Sequence, residues 1–320
     1  MRYSIVFAAA GLVASVSGHG LVTKVVGANG VEMPGLTVAD GTPRDCSSNG
    51  CGSQADTAII RDREIQSGKA SPLGRTQGNG PVDAAVMIAS FMGGGAAPTN
   101  NGTGVGEEDN IPADVGQSSS KSAKSSKNTR TVNSAKFRRQ AKGLLSGLLG
   151  GGAGGAGGAT QAKGVQTKTA AETNVASTAG QGASKGLPTA DDNGEVTLQF
   201  RQINQDGAGP LEAMVDGTSG GKDMAAFKTA EVTQDVPGRI LGLSRATMTD
   251  FDVKVAMPQG MTCDASVGGA NNVCVVRVRN NTPAGPFGGS AAFTQSTAAR
   301  KRAIAYRIKK RAEEARQSLE

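Results

Sequence analysis

Apolar and polar positions alternate one for one in three stretches of the chain. In EVTLQF, Val196, Leu198 and Phe200 alternate with Thr197, Gln199 and Arg201, and in FDVKV, Phe251, Val253 and Val255 alternate with Asp252 and Lys254. In CVVRVR, Cys274, Val276 and Val278 fall on one face, and Arg277 and Arg279 on the other. A period of two with one polar face predicts antiparallel strands that bury one side and wet the other. Short strands, frequent Gly, Pro and Asn turns and few helical periods together predict a mainly β chain, an antiparallel β-sandwich of immunoglobulin-like or monooxygenase-like type. DTAIIRDREI, from Asp56 to Ile65, suits a strand through Thr57, Ile59 and Ile60 or a short helix capped by Asp56, and the helix is preferred.

Three other patterns divide the chain. Ile5 to Val16 is an apolar run behind Arg2, too short to cross a bilayer, with Val16 and Gly18 suited to the positions three and one before a cut. This reads as a signal peptide over 1–18, cut after Gly18, so that the secreted, extracellular protein begins at His19. Residues 93–190 carry GGGAAPTNNGTGVG, SSSKSAKSSKNTR and GLLSGLLGGGAGGAGGA, too little apolar surface to offset chain entropy, and are expected to form a low-complexity, disordered insert. Residues 298–320 (AARKRAIAYRIKKRAEEARQSLE) predict a basic helical tail. The two parts of the sandwich core are then 19–92 and 191–297, and no later apolar run is long enough for an integral membrane segment.

Charge follows the same division. The net formal charge is +7, yet residues 19–92 hold six Lys/Arg against seven Asp/Glu, and 191–297 hold eight against twelve. The excess lies in the insert and the tail, so the folded core offers no basic face for a nucleic acid. A solvated terminal helix is the simplest use of the tail, with electrostatic adhesion to acidic cell-wall polymers as its functional alternative. The acids Asp40, Asp45, Asp56, Asp62 and Glu64 match no calcium-loop spacing, and salt bridges with Arg44, Arg61 and Arg63 are expected instead.

Four cysteines fit an oxidising compartment. Cys46 and Cys51 bracket a turn and Cys263 and Cys274 the base of a hairpin loop, so local pairing is the simplest of three connectivities. Asn101 and Asn280 stand in glycosylation sequons. The chain's single histidine, His19, cannot serve an internal Ser-His-Asp or Cys-His nucleophile, and nothing singles out a pair of carboxylates for glycoside hydrolysis.

HGLVTKVVGANGVEMPGLTVADGTPRDCSSNGCGSQADTAIIRDREI, PLGRTQGNGPVDAA, VTLQFRQINQDGAGPLEAMVD and CVVRVRNNTPAGPFGGSAAFTQS, in this order, resemble the fungal appressorial virulence-factor family of MAS-type and GAS-type secreted proteins. The resemblance covers both core parts and implies a role at the fungal surface in host attachment or penetration, with cell-wall polysaccharide or a host surface as partner. It implies no reaction, and a non-enzymatic protein is the expectation.

The His-Gly start, the turn Asp206 to Pro210 and the closing GPFGG segment are also similar to lytic polysaccharide monooxygenases and their copper-binding relatives. That likeness implies copper held by the amine and imidazole of His19. With no second histidine in the chain, the remaining ligand would come from Asp206, Gln205 or Gln202. This makes a copper-binding protein, for metal capture or weak oxidative activity on polysaccharide, the alternative to a non-enzymatic one.

Overall fold

In a computed structural model of the chain, the three alternating stretches are strands of one curled, mainly antiparallel sheet. The structure describes residues 20–44, 55–100, 159–238, 244–282 and 285–318, which belong to one compact unit. The strands are β1 (Gly20–Val26), β2 (Glu32–Pro34), β3 (Ala58–Ile59), β4 (Arg75–Thr76), β5 (Gly80–Pro81), β6 (Thr160–Gln161) and β7 (Val165–Gln166). They continue as β8 (Glu195–Gln202), β9 (Glu212–Asp216), β10 (Phe227–Asp235), β11 (Thr249–Ala256), β12 (Ala265–Val267), β13 (Ala270–Arg279) and β14 (Phe287–Phe293). Five helices join them: α1 (Asp62–Gln66), α2 (Ala84–Met92), α3 (Asn174–Thr178), α4 (Gly182–Lys185) and α5 (Thr297–Gln317) among the described residues.

The sheet runs β2-β1-β8-β11-β10-β9-β13-β14-β3-β4-β5 and folds over itself at β10. Phe227 to Ala230 of that strand pair with β9, whereas Glu231 to Gln234 pair with β11. The fold brings β14 across β1, so close that a Cβ on Gly289 would lie 2.7 Å from the backbone nitrogen of Val22. Glycine here is a packing requirement. Every residue of β14 is buried, and Leu198, Phe200, Val253, Val255, Val276, Val278 and Phe293 fill the core between the layers. Helix α2 packs against β12, β13 and β14, capped by Asp83, whose carboxylate accepts from Ala85 N at 2.9 Å, and stopped by Gly93 in the left-handed conformation.

Several expectations change at this level. Asp56 to Ile65 divides into strand β3 and helix α1, and Asp56 caps nothing; it is buried against Arg44. Arg277 does not lie on a wet face. It is 2% exposed, with Nη1 donating to Pro72 O, Nη2 donating to Met214 Sδ at 3.1 Å and its guanidinium 5.3 Å from the Phe227 ring centre. That burial lowers its pKa to about 10. Cys263 and Cys274 form the expected hairpin disulfide, their Cα atoms 4.8 Å apart. Cys46, Cys51, Asn101 and His19 lie outside the described residues.

Of the insert expected over 93–190, residues 93–100 and 159–190 are built into the body, and 101–158 lie outside the described residues. Strand β6 pairs with β10 and β7 with β11, and Ala162, Val175, Leu187 and Ala190 are buried. Thr42 and Glu172 are joined backbone to backbone, as are Arg44 and Ala170. The deciding contact is a buried ion triad. Arg44 donates through Nη1 to Asp56 Oδ1 at 2.9 Å, through Nη2 to Asp56 Oδ2 at 2.5 Å, and through Nε to Glu172 Oε2 at 3.1 Å. Burial alone would lower the Arg44 pKa, but Asp56 and then Glu172 outweigh it and hold the guanidinium charged.

Candidate functional site

The loops at the start of β1 gather most of the residues that the sequence marks as candidates. Gly20 faces Gln202 across the β1–β8 ladder, and a Cβ on Gly20 would lie 2.8 Å from the carbonyl oxygen of Gly207. The turn Gln205–Gly207 therefore sits against the first described residue of the chain, with Asp206 buried within it. His19 precedes that residue and is outside the described part, as is the side chain of Gln205.

Gln202 and Asn280 are both fully buried and both spend their amides on backbone. Gln202 Nε2 donates to Asn204 O at 3.0 Å and to Ala246 O at 2.9 Å, while its Oε1 accepts from Ser244 Oγ at 3.1 Å. Both hydrogens of the amide are committed to the chain, while Oε1, accepting one bond, keeps a second lone pair. Asn280 Nδ2 donates to Asp206 O at 2.7 Å and Ala208 O at 3.3 Å, and its Oδ1 accepts from Phe287 N at 3.0 Å. It is a clamp between two loops, and the folded chain presents no free Asn280 nitrogen to a glycan. Each of these loops carries a cis peptide, Gly209-Pro210 in one and Gly285-Pro286 in the other. On the far side, Asp235 accepts from Leu211 N at 3.1 Å and Val236 N at 2.7 Å, and burial pushes its carboxyl above the ordinary range.

Beside the clamp opens a cleft of about 490 Å³ lined by Arg61, Asp62, Arg63, Glu212, Arg279, Asn280, Asn281, Gly285 and Pro286. Arg279 crosses it, donating to Asp62 Oδ1 at 2.6 Å, Glu212 Oε2 at 3.2 Å and Ile60 O at 3.2 Å. The hydrogen bond from Arg279 is the main reason that the Asp62 carboxyl sits below its usual range. Arg61 Nε donates to Gly285 O at 2.9 Å, tying α1 to the loop after β13. Arg63 and Asn281 are exposed at the rim. The expected salt bridges are thus present for Arg44 with Asp56 and Arg61 with Glu64, while Asp62 pairs with Arg279. The sequence gives Arg279 no distinguishing mark, since its place in β13 reads as solvent-facing and its partners are more than 60 positions away.

Chemically, this end offers guanidinium, carboxylate and amide groups in a wet cleft, suited to hydrogen bonding with hydroxyl-rich ligands. Among the described residues, no three His, Cys, Asp or Glu side chains are grouped so as to hold a metal ion. No helix among them is long and apolar enough to cross a membrane.

A family model described as "Egh16-like virulence factor" matches residues 17–288. The chain is 50% identical over 313 residues to "Appressoria-specific virulence factor GAS2" of Pyricularia oryzae, covering 97% of this chain and 95% of the relative. It is 35% identical over 128 residues to "Appressoria-specific virulence factor GAS1" of the same fungus, covering 39% of this chain and 50% of that protein. No solved structure matches the chain.

Proposed function

Since this chain belongs to the Egh16-like virulence factor family, we propose that it is an exported, non-enzymatic protein of the fungal surface or matrix that acts in host attachment or penetration by holding polysaccharide. The observation that carries this reading is the near full-length likeness to a virulence factor specific to appressoria. The charged cleft supports the choice of partner. Its Arg, Asp, Glu and Asn side chains can exchange hydrogen bonds with sugar hydroxyls, and its rim groups Arg63 and Asn281 reach solvent.

The test is retention of the purified protein on insoluble chitin, β-glucan and isolated host cuticle. Retention on at least one of them is expected, and Arg63→Ala combined with Asn281→Ala should weaken it by about tenfold, the order of one or two lost polar contacts. Absence of retention on every surface, with the fold intact, overturns the reading.

A second reading rests on the closeness of Gly20 to the Asp206 turn. Copper would be held by His19 together with Asp206, Gln205 or Gln202. Copper bound by the exported chain no more tightly than by its His19→Ala variant, or a first residue other than His19 in protein from culture medium, ends that reading.

A further inference from the structure

Helix α5 is the longest helix described, and the body uses little of it. Ser296 caps it, accepting from Ala299 N at 3.0 Å, and within Thr297–Gln317 only Ala299 and Ala303 are buried. Arg300 fastens the first turn, donating to Cys263 O and to Asp264 Oδ1, each at 2.8 Å. From Ile304 onward every described residue is exposed.

A helix advances about 100° per residue, so the two buried alanines fix which side faces the body. The opposite side carries Ile304, Ala305, Ile308, Ala312 and Ala315, continued toward the first turn by Lys301. Ile304 is 38% and Ile308 64% exposed. Arg307 and Arg311 border this stripe on one edge, and Lys309, Arg316 and Arg302 on the other. The acids Glu313 and Glu314 fall on the side toward the body. The outward stripe is apolar from Ile304 on, while the side toward the body carries Ala299, Ala303, Tyr306 and Lys310 besides the acids.

We propose that this outward face of α5 lies on an anionic lipid bilayer, with Ile304 and Ile308 entering the headgroup layer and the bordering lysines and arginines against the headgroups. Charge selects this occupant. Thr297–Gln317 holds eight Lys/Arg against two Glu, so a second copy of the helix would bring like charges to both edges of the stripe. An acidic polymer would satisfy the charges and leave the isoleucines in water. The stripe is shallow, two isoleucines among alanines, and a fluid lipid surface conforms to it where a folded partner would need a groove. Binding of this kind draws on apolar insertion and basic charge together.

Flotation of the full chain with phosphatidylcholine vesicles, with and without phosphatidylserine, tests the proposal. Binding only to the serine-containing vesicles is expected. Arg307→Glu with Arg311→Glu, and separately Ile304→Asp with Ile308→Asp, should each weaken it by about tenfold or more, as expected from losing basic charge or buried apolar area at the interface. All four positions are exposed, so an unchanged thermal midpoint will show that the variants fold. Equal binding to both vesicle types, binding to neither, or full binding by the isoleucine variant overturns the proposal. Binding to polygalacturonate unaffected by the isoleucine changes would assign the face to an acidic polymer, and self-association lost with those changes would assign it to a second copy; either outcome also overturns it.

Discussion

Residues 159–190 and the helix Thr297–Gln317 look alike in composition, polar, basic and poor in large apolar side chains, and the molecule treats them oppositely. The first is stitched to the body through Glu172 on Arg44, through the Thr42 and Ala170 backbone contacts, and through Asp40, whose carboxylate accepts from Val175 N at 3.0 Å and Ala176 N at 2.7 Å. The second keeps two alanines and one arginine in its anchor and leaves the rest in water. The difference lies in where the partners are. A polar segment is ordered when specific donors and acceptors await it elsewhere in the fold, and those partners leave no trace in its own composition.

The sharpest way to break this contrast is at Arg44. Arg44→Ala leaves Asp56 and Glu172 facing each other in a dry site, and it should cost about 3–5 kcal/mol, read as a shift in the urea midpoint. A loss below about 1 kcal/mol would mean that the triad does not hold the segment. A smaller effect is expected at Asp40. Asp40→Ala removes the acceptor for the first amides of α3 and should cost about 1–2 kcal/mol by the same measurement.

The smallest effect belongs to the helix anchor. The Thr262 hydroxyl at 2.5 Å, and then Arg300, hold the Asp264 carboxyl below its ordinary range. A carboxyl lowered in this way stabilises above the ordinary carboxylate pKa of about 4, and the contribution is lost as pH falls through its lowered value. Protection of the first-turn amides of α5, taken against intrinsic exchange at each pH, should therefore fall in acid and match that of Asp264→Asn there, with no change in the global midpoint. Equal exchange in the two proteins at neutral pH would remove Asp264 from the anchor.

Local signals in the sequence led to the right elements. The period-two runs became β8, β11 and β13, the hairpin cysteines paired, and the tail is helical because its long unbranched and alanine-rich composition favours it. What could not be read depends on distant partners. Glu172 is 128 positions from Arg44, in a stretch whose glycine and serine content argues against order. Arg277 alternates correctly but lies where the sheet's second face is covered too. Asn280 sits in a surface-modification motif, yet two loop carbonyls more than 70 positions away decide its role. At the candidate site, Gly20, Gln202 and the Asp206 turn do meet, while the neighbouring cleft has no sequence signature because its ion pairs bridge α1, β9 and β13.

One strand, β10, has membership in both layers, and this governs how the molecule can come apart. A crease is not an edge: Ala230 is the last residue laddered to one leaf and Glu231 the first laddered to the other, so the chain passes between the leaves without a loop. A distortion at the junction of Ala230 and Glu231 would therefore be felt in both ladders.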